Sequence, residues 1–374
     1  MKDYILLIVF SICCLIMGCD SSQKDFEEGV FFIHLDGFQE LNKSQMRIEE
    51  AVFLETNQNN LMGFDLKVLL SDSGIFIMDQ SLKNGIHVFD KNGAYEVTHN
   101  LLGEGPGQLR SINDFHVDNK GDLTILSSVG SASRILKYSQ QEGLKEMFSV
   151  DYSASSFIAL ANGRYLLYGG YNLPFIEYRI IEVDKGEIVG KHLKNDYNNN
   201  MLPMTERNFF QSQEHIFILE SFNNKIYKYE DGEIKSVIQA DFEKYSIPDK
   251  FWEMDLMDGF QMISQNGFAN FRNVFFGNNI YVADIMYQKG RDVYKNILFI
   301  DEQSGKRYKM KGNLSDEMLY YYPIGVDEKG RAMFVTYASL LQDYLTKNPG
   351  LNKHIILPKE ELDYPVILKV SLDV

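Results

Sequence analysis

Cysteine is scarce: three in 374 residues, at positions 13, 14 and 19, with none beyond. A folded part built from the remainder has no intramolecular disulfide, so burial must hold it together. Proline is also rare, at 8, and tryptophan occurs once, as Trp252. With aromatics at 13%, that shortage favours packed sheet over disorder. Positive charge is in deficit: 37 Lys and Arg face 52 Asp and Glu, for a net charge of −15. Such a chain repels phosphate backbones and anionic headgroups, so no nucleic-acid partner is expected. The seven histidines show neither His-x-His nor His-Glu-x-x-His spacing, and no Gly-x-Ser-x-Gly elbow occurs. The usual sequence signatures of zinc hydrolases and elbow nucleophiles are therefore missing.

From Tyr4 to Gly18 the chain carries no charge. A bilayer span takes about 18 to 20 apolar residues, so this run suits the core of a secretory signal better. It ends in Ile16-Met17-Gly18-Cys19, which resembles the lipobox of bacterial lipoproteins. The resemblance implies a signal peptide over 1–18, lipidation of Cys19, and a membrane partner engaged through that lipid at the cell envelope. The polar, acidic residues that follow read as a flexible tether over 19–28. An uncleaved anchor, or a plain signal peptide with an incidental Cys19, is the competing reading.

Beyond residue 29 the chain repeats. A unit of alternating strand, polar loop, second strand and Gly-containing turn starts at Gly74 and returns at Gly121, Gly163, Glu214, Asn278 and Gly330. The starts lie roughly 40 to 65 residues apart, near the period of propeller repeats. Each unit is preceded by a short strand and most are followed by another. Four antiparallel strands in each of six units predict an all-β, six-bladed β-propeller over 29–374. A pair of β-sandwiches would need a linker that is absent mid-chain, and a β-helix would need shorter, more uniform coils. The last unit lacks its outer strand, so closure is expected from near the N-terminus, by Gly29–Asp36 or Glu50–Thr56.

The stretch Val52–Asp118, and within it Gly103-Glu104-Gly105-Pro106-Gly107-Gln108-Leu109, resembles the six-bladed propeller lipoproteins of Bacteroidetes and the inter-blade linker of NHL/TolB-like propellers. The resemblance implies a fold and an outer-membrane location, and little about activity. No Gly-Lys-Ser/Thr ends this glycine run, so Gly103, Gly105, Pro106 and Gly107 are assigned to a structural turn rather than a phosphate loop. Asp118–Asp122 (DNKGD) hints at a calcium loop, but a blade turn explains it better.

Strand parity places the a–b and c–d turns on one face and all other connections on the opposite face. The long insertions, 194–207, 241–266, 284–296 and 338–364, all fall in the second set. Loops gathered on one face of a rigid scaffold are where binding sites are built. Pro248–Met262 is predicted to be helical, capped by Ser246 or Asp249. Its Trp252 and Phe260 offer an aromatic platform over the channel mouth for sugar rings or peptide side chains; alternatively they only fasten the insertion to the blades. Tyr171, Tyr287, Arg272 and Arg291 are further ligand-binding candidates by loop position, although Arg272 equally suits a structural ion pair.

The expected function is a monomeric, non-catalytic, cofactor-free binding module for a glycan, peptide or partner protein. The alternative is a metal-dependent hydrolase or lactonase working in the channel, with Ca2+ held by Asp65, Asn113, Asp114 and Asn273.

Overall fold

A computed structural model of the chain describes residues 26–27 and 30–373, apart from 83–84, 106, 172–175, 198–206, 213, 314–317, 350–351, 353 and 360–361. Blade one runs from Leu66 to His99, blade two from Asp114 to Val150 and blade three from Ser156 to Lys194. Blade four covers Phe209–Ala240 and blade five Phe268–Asn313. Each is four antiparallel strands in sequence order. Blade six takes Tyr322–Val326, Ala332–Tyr337 and Pro365–Leu372 from one end of the chain and Met46–Phe53 from the other. The six-bladed propeller expected from the repeat is the observed fold.

Why the middle strands lose their alternation is plain from the packing. Every residue of Gly74–Asp79, Ile86–Phe89, Tyr165–Tyr168 and Ala332–Tyr337 is buried, because each blade is covered on both faces by its neighbours. Outer strands such as Glu187–Lys194 stay mostly exposed. Six hydrophobic clusters result, and each spans one pair of adjacent blades around the ring. No blade has a core of its own.

Of the two closing candidates, the Glu50–Thr56 region is the one that pairs: Phe53 faces Val366 and Met46 faces Leu372 in antiparallel register. The Gly29–Asp36 region does something else. Its Val30–Ile33 lies parallel to the outer strand of blade four, Phe31 opposite Ile238 and Ile33 opposite Ala240. Gln39–Glu40 then lies parallel to the outer strand of blade five. The segment is a strap along the rims of two blades, covering edges that would otherwise be open. Ile33, Phe38 and Leu41 anchor it in the inter-blade clusters, and Arg307 covers the Phe31 ring at 4.5 Å. Phe26–Glu27, within the stretch expected to be tether, forms the edge strand of this sheet.

Turns on one face are all five residues or fewer, and the long connections lie opposite. Asp118–Asp122 is one of the tight turns: Asp118 Oδ1 accepts from the amides of Lys120 and Asp122, and Gly121 takes φ +86°. The supposed insertion at 284–296 is not a loop. Ile280–Lys289 and Asp292–Asp301 are paired ten-residue strands joined through Gly290-Arg291, so the excursion is a projecting hairpin. The 241–267 and 338–364 connections carry helices, at Lys250–Glu253, Leu256–Asn266 and Ala338–Lys347. No helix among the described residues is long and apolar enough to cross a membrane.

Ile48 is fully buried in the closing strand. Ile48→Ala is expected to cost about 2–5 kcal/mol in denaturant unfolding. Ile188→Ala, on the exposed outer strand of blade three, should change stability by less than about 0.5 kcal/mol; equal effects would mean that closure through Met46–Phe53 does not hold the ring.

Candidate functional site

The loop-rich face presents two features, an aromatic cleft above blades three to five and the narrow end of the central channel. The cleft begins with the 241–267 insertion. Its helical part breaks at Met254-Asp255, both extended, because Asp255 leaves the helix to cap the next one: its Oδ1 accepts from Met257 N at 2.9 Å. Asp249 holds the N-cap position of Lys250–Glu253 without a side-chain cap bond, Ser246 lies outside both helices, and Asp255 makes the side-chain cap. Leu256–Asn266 ends at Gly267, whose φ of +86° suits glycine.

Phe251 and Ile263 are buried against Phe222 and Phe268, fixing the insertion to blades four and five. Phe260 belongs to the same fastening, edge-on to Phe222 at 6.0 Å and to Phe251 at 5.8 Å. Trp252 projects differently. It stacks on Tyr197 at 5.1 Å and 11°, with Tyr171 at 4.7 Å and 38°. The Arg179 guanidinium lies 5.7 Å from the centre of the Tyr171 ring. A loop within blade three, the connection after it and the connection between blades four and five thereby contribute to one ladder of π surfaces, geometry worth about 0.5–1.5 kcal/mol per aromatic pair.

Beneath the ladder is a buried ion pair. Arg179 donates to Glu220 from Nε at 2.7 Å and from Nη2 at 3.2 Å, and from Nη1 to Lys194 O at 2.6 Å. Glu220 also accepts from Asn223 Nδ2 at 3.0 Å and Tyr168 OH at 3.3 Å. Burial is the largest influence and opposes the Arg179 charge, but Glu220, Tyr171 and Tyr168 together outweigh it and raise the guanidinium above its ordinary value. Burial likewise pushes the Tyr171 phenol well up, so it stays a neutral donor. The cleft encloses about 440 Å³, walled by Tyr171, Tyr197 and Trp252 and floored by Arg179, Glu220 and Asn223. Of its lining, only Glu220 is shared with the small channel cavity bordered by Arg207 and Arg272.

In the channel, charged groups of both signs meet. Lys67 bonds to Asp114, and Asp114 Oδ2 accepts from Phe157 N at 3.0 Å, joining blades one, two and three. Lys295 lies 2.7 Å from Asp284 and 4.2 Å from the centre of the Tyr321 ring. Asn273 donates to Asp284 at 2.9 Å, while Asn113 donates to Ala154 O at 3.1 Å. Arg207 and Arg272 line the same narrow cavity as Asp65 and Lys295. Burial lowers both lysines despite their carboxylates.

Of the four residues assigned to Ca2+, Asp114 thus serves Lys67, Asn273 serves Asp284, Asn113 spans blades two and three, and Asp65 stands 3.9 Å from Arg207. Among the described residues no three His, Cys, Asp or Glu side chains are grouped to hold a metal. A donor set answered by ammonium and guanidinium groups does not fit a divalent cation.

The remaining candidates are dispersed. Tyr287 is buried, stacked on Tyr294 at 4.9 Å and 4° and edge-on to Tyr245. Arg291 is exposed at the hairpin tip. Gly103 N donates to Leu109 O at 2.9 Å and Leu109 N to Leu101 O at 2.8 Å, and Gln108 Oε1 accepts from Gly105 N at 2.9 Å while Gly107 takes φ +76°, as a turn requires. Cys19 and Pro106 lie outside the described residues. Arg179, Tyr197, Glu220, Arg207, Lys67 and Lys295 were not anticipated.

A family profile described as Domain of unknown function (DUF4934) matches residues 42–371. The chain belongs to the DUF4934 family. The match starts just before the closing strand and ends within its partner, so the family unit is the ring, and the Val30–Glu40 strap lies outside it. No curated protein matches the DUF4934 chain in sequence. A Bacteroides fragilis protein described as exported superposes with a TM-score of 0.68 at 16% identity, over 92% of this chain and 99% of that one; that likeness extends to the fold. A virginiamycin B lyase of Staphylococcus aureus aligns over 88% of this chain and 100% of its own, at 14% identity and a TM-score of 0.41.

Glu220 and Arg179 have side chains only 2% and 11% exposed. Glu220→Ala in this DUF4934 protein should therefore cost about 3–5 kcal/mol by stranding a buried guanidinium. Arg179→Ala/Glu220→Ala should cost less than the two single losses combined, read from urea unfolding of the complete cycle.

Proposed function

We propose that the protein is a lipid-anchored binding module of the cell envelope, attached to the outer membrane through Cys19, whose ligand is an oligosaccharide seated in the Trp252 cleft. The observation that carries this reading is the meeting of Tyr171, Trp252 and Tyr197 over the Arg179–Glu220 pair in a cleft of about 440 Å³. Sugars present apolar ring faces and hydroxyl edges together. Aromatic faces answer the first, and a carboxylate, a guanidinium and an amide answer the second. A peptide or partner protein would find more apolar area and less charge useful. The cleft is preorganised, because the ladder and the ion pair hold each other, so little ordering cost would fall on binding. Support for the envelope assignment comes from the lipobox-like Ile16–Cys19 and the similarity to an exported Bacteroides protein.

Trp252 is the only tryptophan, so its emission reports on the cleft without labelling. Titration with maltose, xylan and mannan oligosaccharides should give a saturable change for at least one series. Tyr197→Ala should weaken that binding at least tenfold, with the melting temperature nearly unchanged. A response to tripeptides alone would replace the glycan by a peptide, and silence to both would remove the cleft as a ligand site.

The anchor is tested separately. Cys19→Ala should abolish incorporation of labelled palmitate and release the protein from the membrane fraction; unchanged fractionation and labelling would refute the lipoprotein assignment.

A further inference from the structure

Exposed apolar side chains are divided unequally between the connections of the two faces. On the loop-rich face Leu61, Phe64, Leu82, Met257, Ile356 and Leu362 are all exposed, from 38% at Leu362 to 81% at Ile356. Among the described residues no tight turn of the opposite face carries an exposed large apolar side chain, and the remaining exposed ones lie within strands. Single exposed leucines are ordinary, whereas six on one face and none on the other mark a surface that meets something apolar. They belong to the connections before and within blade one, after blade four and within blade six, so they stand on opposite sides of the ring.

The N-terminal chain points to what that surface meets. Outer strands run from the tight turns towards the loop-rich face, and Val30–Ile33 runs parallel to the outer strand of blade four. Phe26–Glu27 is antiparallel to Val30–Ile33, with Phe26 opposite Phe31, so the chain reaches Phe26 from the loop-rich side. Residues 19–25 precede it, a reach of at most about 25 Å when fully extended. With Cys19 acylated, the loop-side end of blade four therefore stays close to the bilayer. Turning the tight turns to the membrane would use most of that reach in doubling back along Glu233–Ala240, an eight-residue strand about 26 Å long. Laying the rim of blade four on the membrane would leave the six side chains in water.

Charge narrows the partner further. A net charge of −15 disfavours anionic headgroups. We propose that the loop-rich face docks on a zwitterionic lipid bilayer, with these six side chains inserted among the headgroups. The orientation rests on the anchor proposed at Cys19. The Trp252 cleft opens on the same face and so meets saccharides at headgroup level.

Cys19 is the sole thiol from residue 19 onward, so coupling chain 19–374 to a maleimide phospholipid anchors it to vesicles whether or not a cell acylates it. On vesicles of phosphatidylethanolamine and phosphatidylcholine, amide hydrogen exchange of the coupled protein should slow over 54–65, 80–82 and 354–359. Exchange in the turns 90–94 and 302–306 should match that of the free protein. The uncoupled chain should co-sediment with the same vesicles, and less so once phosphatidylglycerol is added. Leu82→Ser/Ile356→Ser should lower this partitioning about tenfold or more, with the melting temperature nearly unchanged because both side chains are exposed. Equal exchange effects on both faces, tighter binding with phosphatidylglycerol, or undiminished partitioning in the double variant would overturn the proposal. Protection of the same segments by dimerisation of the free chain would overturn it too, assigning the face to a second copy. None of these readings depends on palmitate labelling in cells, so the anchor and the docking face fail separately.

Discussion

Met46–Phe53 completes a sheet whose other three strands come from the far end of the chain, and every inter-blade core depends on that pairing. Each blade buries its faces only against its neighbours, so the ring has no self-sufficient unit. An open ring would expose two faces of aliphatic and aromatic side chains at once. Closure between distant segments carries a loop entropy cost that rises only slowly with length. The eight-residue strand is therefore sufficient to join contacts more than 300 residues apart.

Polar links reinforce the seams near the loop-rich face. Lys67, Asp114 and the Phe157 amide tie three consecutive blades. Ser156 bonds to Asn208 across the next seam, and Asn270 accepts from Phe222 N across the one after. Lys295 donates to Tyr321 O from blade five to blade six, and Tyr337 donates to Met62 O back to blade one. Buried polar groups of this kind add little net stability but penalise any misaligned seam, because each would lose its partner. The same groups hold the cleft and channel walls in place. Rigidity of the ring and definition of the sites have one origin.

Much of the fold was legible because its signals are local. Strand alternation, Gly-containing turns and loop lengths are properties of short segments, and six copies of them leave few architectures. Pairing partners are not local. Val30–Ile33 is apolar throughout and reads as a strand from its own residues just as Met46–Phe53 does, and only the tertiary register distinguishes a rim strap from a closing strand. The hairpin at 280–301 was misread because Gln288–Asp292 is polar, although the strands simply run on past the blade. Trp252, Tyr171 and Arg272 were found by loop position. Glu220 was missed because nothing near it in sequence reveals Arg179, 41 residues away. Arg207 was invisible for the same reason, since its channel setting comes from blades one, five and six.

The rim strap gives the molecule a mechanical asymmetry. Any tension arriving from the N-terminal side reaches Phe26–Glu27 and Val30–Ile33 first, and these short pairs lie on the outside of blade four. They would peel before load passed to Gln39–Glu40, and that pair before load reached Met46–Phe53. The strap works as a fuse: it lengthens the chain under a pull and leaves the circle of blades shut.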